Sequence, residues 1–317
     1  MRFRQKCSQV TRRVLGNIGR HTLGLQAAGI GFFGMLAAFP AMAALISLYA
    51  MWANPSSTIE AFGPFRRILP HDAWQLLDQE LIKLTSQQRG QLSSGAVIGV
   101  VLTLWSSGAG VRALITSLNV VYMEAERRGL LRFYLVAFAF TIATIALGAL
   151  SLTTIVATPV LLKVLNLGAF PQALLSAVSW IVILGFVVGV LILFYKFGPS
   201  RTPPKIRWTL PGAAFASIAW FIASLLFSFY VSHFGYYNRT YGTLGAVVVL
   251  LLWFYMSAFL VLLGGELNAA LEHMASVDTT VGPPKPEGQR GAHVADTDPE
   301  HDYLPEPTRE EVLPHRR

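Results

Sequence analysis

The stretch GAVVVLLLWFYMSAFLVLLGGEL, residues 245–267, decides the fold: 21 residues pass before its first charge, Glu266. A helix of about 20 mostly apolar residues crosses about 30 Å of hydrocarbon, so this segment reads as a membrane-spanning helix. Five more apolar runs precede it, at 23–53, 94–111, 133–162, 173–197 and 210–232, and none contains an acidic residue. The first is long enough to need tilt, and Pro40 inside it predicts a kink. A removable signal peptide is the competing reading of that run, with Ala41-Met42-Ala43 as its cleavage-like site. The run continues past that site to Trp52, which favours a span. The expected fold is all-α: a polytopic transmembrane helical bundle of six spans at 23–273, with a basic segment before it (1–22) and a tail after it (274–317).

Composition agrees. Of 317 residues, 53% are hydrophobic and 13% charged, against roughly 25% charged in a soluble domain. The single cysteine, Cys7, excludes an intramolecular disulfide.

Short loops rich in Lys and Arg stay in the cytoplasm. Segment 1–22 and the connections after the second and fourth runs together carry 14 such residues, and the opposite connections carry 6. With an even number of spans, both termini are expected in the cytoplasm. Net charge is uneven: residues 1–270 hold 20 Lys and Arg against 7 Asp and Glu, and residues 271–317 hold 5 against 10. The basic excess therefore reads as a topology signal and an attraction to anionic lipid, not as a nucleic-acid surface. The tail from Ser276 onward, rich in Pro, Gly and charge, is expected to be disordered. Its His293, Asp296, Asp298, His301 and Asp302 suggest a metal cluster but read better as solvated side chains.

In the first exterior connection, Trp74, Leu77, Leu81 and Leu84 recur at helical spacing after Asp72, predicting a short amphipathic exterior helix. The third, between the fifth and sixth runs, contains Phe234, Gly235, Tyr236, Tyr237, Asn238, Tyr241 and Gly242, a tight aromatic turn at headgroup level. Two readings of it stand open: an aromatic belt joining two helices, or an exterior gate or lipid-contacting lip.

Pro211-Gly212-Ala213, then His233 to Asn238, Thr240-Tyr241-Gly242-Thr243-Leu244-Gly245, Trp253-Phe254-Tyr255 and Gly265-Glu266-Leu267-Asn268 resemble the C-terminal signature of the YihY/BrkB family. Phe39-Pro40 and Trp105-Ser106 with Gly110, Leu114, Asn119 and Tyr122 extend the resemblance over about residues 10–273. It implies a six-span bacterial inner-membrane protein. The family was once labelled a ribonuclease and elsewhere a virulence factor, and some relatives are linked with envelope lipid export. Where the family often has tyrosines and a serine in the first span, this chain has Phe32, Phe33 and Ala37.

The sequence holds no P-loop, no nucleophile elbow, no paired carboxylates in the spans and no histidine spacing suited to a metal. A metal-dependent nuclease needs several acidic or His ligands around one site; residues 1–270 supply seven acids, four of them in one connection. The expectation is a protein without catalysis or cofactor, partnered by membrane lipids. It would be a transporter or accessory factor for an envelope lipid or small solute, or else a structural membrane protein.

Candidate polar sites are few. Trp105-Ser106-Ser107-Gly108-Ala109-Gly110 permits close helix packing or a break lining a substrate site, and Gly185 with Gly189 permits close packing. Arg112 and Glu266 fall at the same cytoplasmic depth. They either pair or snorkel independently to water. Glu266 near a helix C-terminus opposes the macrodipole, which favours continuation of that helix through Glu272 and His273 or compensation by a cation.

Overall fold

The computed structural model describes residues 2–52, 79, 89–165, 169–234 and 243–297. The elements are α1 (Arg2–Arg20), α2 (Leu23–Trp52), α3 (Arg89–Val121), α4 (Leu130–Leu165), α5 (Ala169–Phe197), α6 (Ile206–Phe234), α7 (Thr243–His273) and the single turn α8 (His293–Asp296). Among the described residues there is no strand, and Pro204 and Thr280 form an isolated bridge. Apart from residue 79, the expected exterior helix at 72–84 lies outside the described residues, as does the aromatic turn with Asn238, Tyr241 and Gly242.

Helices α2 to α7 are the six expected spans. Five contain stretches long and apolar enough to cross a membrane: Leu23–Ala41, Val97–Val121, Leu130–Leu147, Ile206–Val231 and Val247–His273. The sixth, α5, is 29 residues long with an apolar Ile181–Phe197. Apolar residues run all round these helices, so the faces not packed on protein meet lipid. Ile181, Leu225 and Leu226 are more than half exposed accordingly. α2 continues as helix through Pro40, and α3 extends ten residues beyond its expected end.

Each span packs on its neighbours in sequence, and α2 packs on α7, so the six close into a ring. The shared core lies at one end, where α2, α4 and α6 begin and α3, α5 and α7 finish. Leu23, Ile115, Phe140, Phe194, Ala213 and Leu262 meet there. α1 precedes the ring and docks on α7 and α2 at this same end. Thr22, with φ 48°, turns the chain from α1 into α2, and Gln26 Nε2 donates to His21 O across that turn (2.6 Å).

Two expectations need correction. A Cβ at Gly185 or Gly189 meets nothing within 4 Å. These glycines do not bring helices together; they line an open apolar groove of about 770 Å³ between α4 and α5, with Ala143, Ala146, Phe186 and Leu193.

The tail is the second correction, because residues 276–297 are not disordered but fold across the core end of the ring. Lys205 N–H donates to Thr279 O, Val281 N–H to Pro203 O and Thr202 N–H to Gly291 O, each at 2.9 Å. Val294 and Ala292 are buried against the bundle. Gly291 is required there: its φ is +72°, and a Cβ would lie 2.7 Å from Thr202 Oγ1. Composition misjudged this segment because backbone hydrogen bonds and carboxylates hold it, not apolar area. Asp296 accepts from the N–H groups of Arg290, Gly291 and Ala292, and Asp278 from those of Thr280 and Lys285. Truncation after Ser276 should therefore lower the unfolding temperature in detergent by at least about 3 °C; an unchanged transition would return the tail to a passive role.

Candidate functional site

Ionisable groups gather at the core end. α7 continues as helix through His273, which places Glu266, Glu272 and His273 on its last two turns. Glu266 is fully buried and is compensated from α1: His21 Nδ1 contacts its Oε1, and Asn17 Nδ2 donates to its Oε2 (3.1 Å). One turn earlier on α1, Arg13 Nη2 lies 2.5 Å from His273 Nδ1. A guanidinium only donates, so Nδ1 accepts. The ring proton then sits on Nε2, 3.1 Å from Thr297 Oγ1, whose hydroxyl donates to His293 O (2.8 Å). The polar face of α1 is thus clamped to α7.

Glu272 takes a bidentate pair from Arg201, Nη1 to Oε1 at 3.0 Å and Nη2 to Oε2 at 2.9 Å, with side chains 0% and 1% exposed. The guanidinium stacks over the buried Tyr122 ring at 4.1 Å, and Thr279 Oγ1 donates to Glu272 Oε1 (2.7 Å). One pair therefore joins the α5–α6 connection, α7, the end of α3 and the tail.

Asn268 serves α6. Pro211 has no N–H and disturbs the first turns of that helix. Asn268 Oδ1 accepts from Gly212 N–H (2.7 Å), and its Nδ2 donates to Thr209 O (3.0 Å). This exchange needs close backbones, and a Cβ at Gly264 would lie 2.6 Å from Gly212 O. Pro211-Gly212 and Gly264 to Asn268, about 55 residues apart in sequence, form one contact.

A second clamp lies on the connections. Asn119 Oδ1 accepts from Ser200 N–H (2.8 Å), and its Nδ2 donates to Glu126 Oε2 (3.0 Å). Arg128 grips the same carboxylate at 2.6 and 2.7 Å. Burial raises the Glu126 pKa, but the hydrogen bonds from Arg128 and Asn119 outweigh it and hold the pKa at about 2. Asp278 is also held at about 2, where bonds from Thr280 and Lys285 overcome burial. Depressed carboxylates stabilise the fold above their ordinary range, and that contribution is lost as pH falls toward 2. Burial pushes Glu124 the other way, although it accepts His293 N–H at 2.7 Å.

Arg112 and Glu266 do not pair. Arg112 stacks on Tyr134, with its Cζ 5.2 Å from the ring centroid. Glu266 does not snorkel either, because α1 covers it. Sequence depth was shared, but α1 supplied the partner. The charge swap Arg112→Glu with Glu266→Arg should give additive losses of stability in detergent melts; rescue by the double variant would contradict this geometry. Trp105 is 63% exposed, and Ser106 is buried with its hydroxyl on Leu102 O (2.6 Å), so α3 is unbroken at this motif. Gly110 packs on Phe33, its Cβ position 3.4 Å away. Among the described residues no three His, Cys, Asp or Glu could hold a metal. His293 and Asp296 act through backbone hydrogen bonds, and Asp298, His301 and Asp302 lie outside the described residues.

Sequence reasoning missed Arg13, Asn17, His21, Arg201 and the partner roles of Glu272 and His273. The amphipathic character of segment 2–20 was the available signal: a helix with one polar face needs a polar surface to meet.

The family model described as "Virulence factor BrkB" matches residues 14–289, from within α1 through most of the folded tail. The chain belongs to the BrkB family. A relative in Bacillus subtilis, YfkH, whose name calls it ribonuclease-like, is 32% identical over 260 residues, covering 78% of this chain and 89% of that protein. A "UPF0761 membrane protein" of Aromatoleum aromaticum is 27% identical over 250 residues, 77% of this chain and 59% of that relative. A shorter match, 38% over 86 residues, joins it to a UPF0761 membrane protein of Tolumonas auensis. No solved structure is significantly similar. The BrkB match includes the folded part of the tail up to residue 289, so this part falls within the family's shared region.

Proposed function

We propose that this BrkB-family chain is a non-catalytic bacterial inner-membrane transporter, or transport accessory, for an envelope lipid, with both termini in the cytoplasm. The observation that carries this reading is the groove between α4 and α5. Its volume of about 770 Å³ lies within the roughly 300–1,000 Å³ of small-molecule sites. Its lining is apolar, and its two glycines leave space that any side chain would fill. Such a groove suits an acyl chain better than a hydrophilic solute. The ribonuclease-like name of the Bacillus relative finds no support in the side-chain chemistry available here. Cation asymmetry between the connections supports the orientation. The rival reading, a structural membrane protein, draws on the extensive pairing of buried charges at the core end.

Flux decides between them. Purified protein in liposomes should move a fluorescent phospholipid between leaflets several-fold faster than protein-free liposomes. Gly185→Leu with Gly189→Leu should abolish most of that gain without changing the unfolding temperature. Flux equal to the protein-free control would favour the structural reading, and RNA cleavage by pure protein in chelator would overturn the non-catalytic one.

A further inference from the structure

Arg112 stands apart from the other buried and half-buried arginines near the core end. Arg128 and Arg201 hold carboxylates, Arg13 contacts a histidine ring and Arg290 donates to the Lys285 and Ala295 carbonyls. The Arg112 guanidinium has neither a carboxylate nor a hydrogen-bond acceptor among the described residues, and its contact is the face of Tyr134. It belongs to the apolar stretch Val97–Val121, nine residues before the end. About 14 Å of helix separates it from that end.

The side chain does not run toward the nearer surface. Helical side chains lean toward the N-terminus of their helix, and Arg112 does so: its Nη1 lies 3.2 Å from where a Cβ of Gly108 would be, one turn back into the span. Gly108 makes room for it. Snorkelling past Val121 would require the opposite direction; the guanidinium instead turns back along α3 and meets Tyr134 near the start of α4.

The nearby hydroxyls donate along their own helices, Thr141 to Ala137 O (2.8 Å) and Ser106 to Leu102 O, and neither accepts from Arg112. The seam between α3 and α4 opens outward instead. Trp105 lies seven residues earlier on the same α3 face, and Tyr134 and Phe138 on α4 are each more than half exposed. The seam leaves this guanidinium open to an acceptor from the surrounding membrane. A phosphodiester suits it, because two of its oxygens match the fork of an arginine. An anionic headgroup suits it better than a zwitterionic one, which brings its own cation to a site that has no carboxylate. Aromatic side chains that flank the seam fit the boundary between headgroup and acyl chain.

We infer that Arg112, in the seam between α3 and α4, binds the phosphate of an anionic membrane phospholipid. This goes beyond the transport reading, because a lipid can be held at the seam whether or not it is moved.

Native mass spectrometry of the full chain, titrated with phosphatidylglycerol, phosphatidylcholine or inorganic phosphate, tests it. Phosphatidylglycerol should bind about tenfold more tightly than phosphatidylcholine, and Arg112→Gln should remove most of that preference. Arg112→Lys should keep part of it. Tyr134→Leu, at an exposed position, should weaken binding by a smaller factor and guards against a misfolded Arg112 variant. Equal binding of the two lipids, or an unchanged preference in both Arg112→Gln and Tyr134→Leu, would overturn the assignment. Displacement of the lipid by millimolar inorganic phosphate would make this a site for a free anion and overturn its lipid character. A lipid preference without flux in liposomes would leave this site standing and count only against the transport reading.

Discussion

Replacing Arg201 with methionine is expected to destabilise the bundle by about 3–5 kcal/mol, the usual cost of leaving one partner of a buried pair uncompensated. Glu272 is 1% exposed and takes both Arg201 amino groups, and Thr279 is its other donor, at 2.7 Å. Without the guanidinium its charge is left with the Thr279 hydroxyl beside the buried Tyr122 ring. The double change Arg201→Met with Glu272→Met should recover most of the loss, because an apolar pair of similar volume avoids the desolvation cost. Thermal unfolding in detergent reads both, with the single variant on the order of 10 °C below the parent. A shift close to zero would show that the pair behaves like an exposed one, worth about 0–1 kcal/mol.

Gly264→Ala is expected to be as severe, at about 3 kcal/mol or more. The added Cβ would fall 2.5 Å from the Tyr195 hydroxyl, 2.6 Å from Gly212 O and 2.8 Å from the Ala216 Cβ. No rotamer relieves this, since a Cβ is fixed to the backbone and one obstacle is itself backbone. α6 and α7 must separate, which breaks the Asn268 bonds to Gly212 and Thr209 and pulls Tyr195 from Val261 O. Size-exclusion chromatography after extraction should show loss of the monodisperse peak. Gly185→Ala is the matched control, because its Cβ meets nothing within 4 Å. Equal behaviour of the two variants would mean that the α6–α7 crossing is looser than described.

These two glycines show where sequence reading stops. Gly185 and Gly264 look alike in sequence, each in an apolar run near a second small residue. One lines an open groove and the other lies against a backbone carbonyl. Small residues permit close approach but do not decide which helix approaches.

Continuation of α7 beyond Glu266 was legible, because a carboxylate at a helix C-terminus opposes the dipole and favours extension or a cation. The extension occurred: the helix runs to His273, and the His21 ring contacts the carboxylate. The choice of His21 over Arg112 was not legible. The partner lies 245 residues away in sequence, and equal depth in a bilayer leaves rotation around the bundle undetermined.

Sequence alone determined that this chain is an all-α membrane bundle with six long apolar helices. Hydrocarbon demands about 20 apolar residues per crossing with all backbone groups bonded within the helix, and that requirement is local. The tertiary structure decided the ring order of the spans, the docking of α1 onto Glu266, the Arg201–Glu272 pair and the folded tail. Those depend on a few buried polar groups finding partners far away in the chain. An unpaired charge is costly where it is buried away from water, so a charge in an apolar run signals that a partner or a route to water must exist, while only packing in three dimensions selects which one.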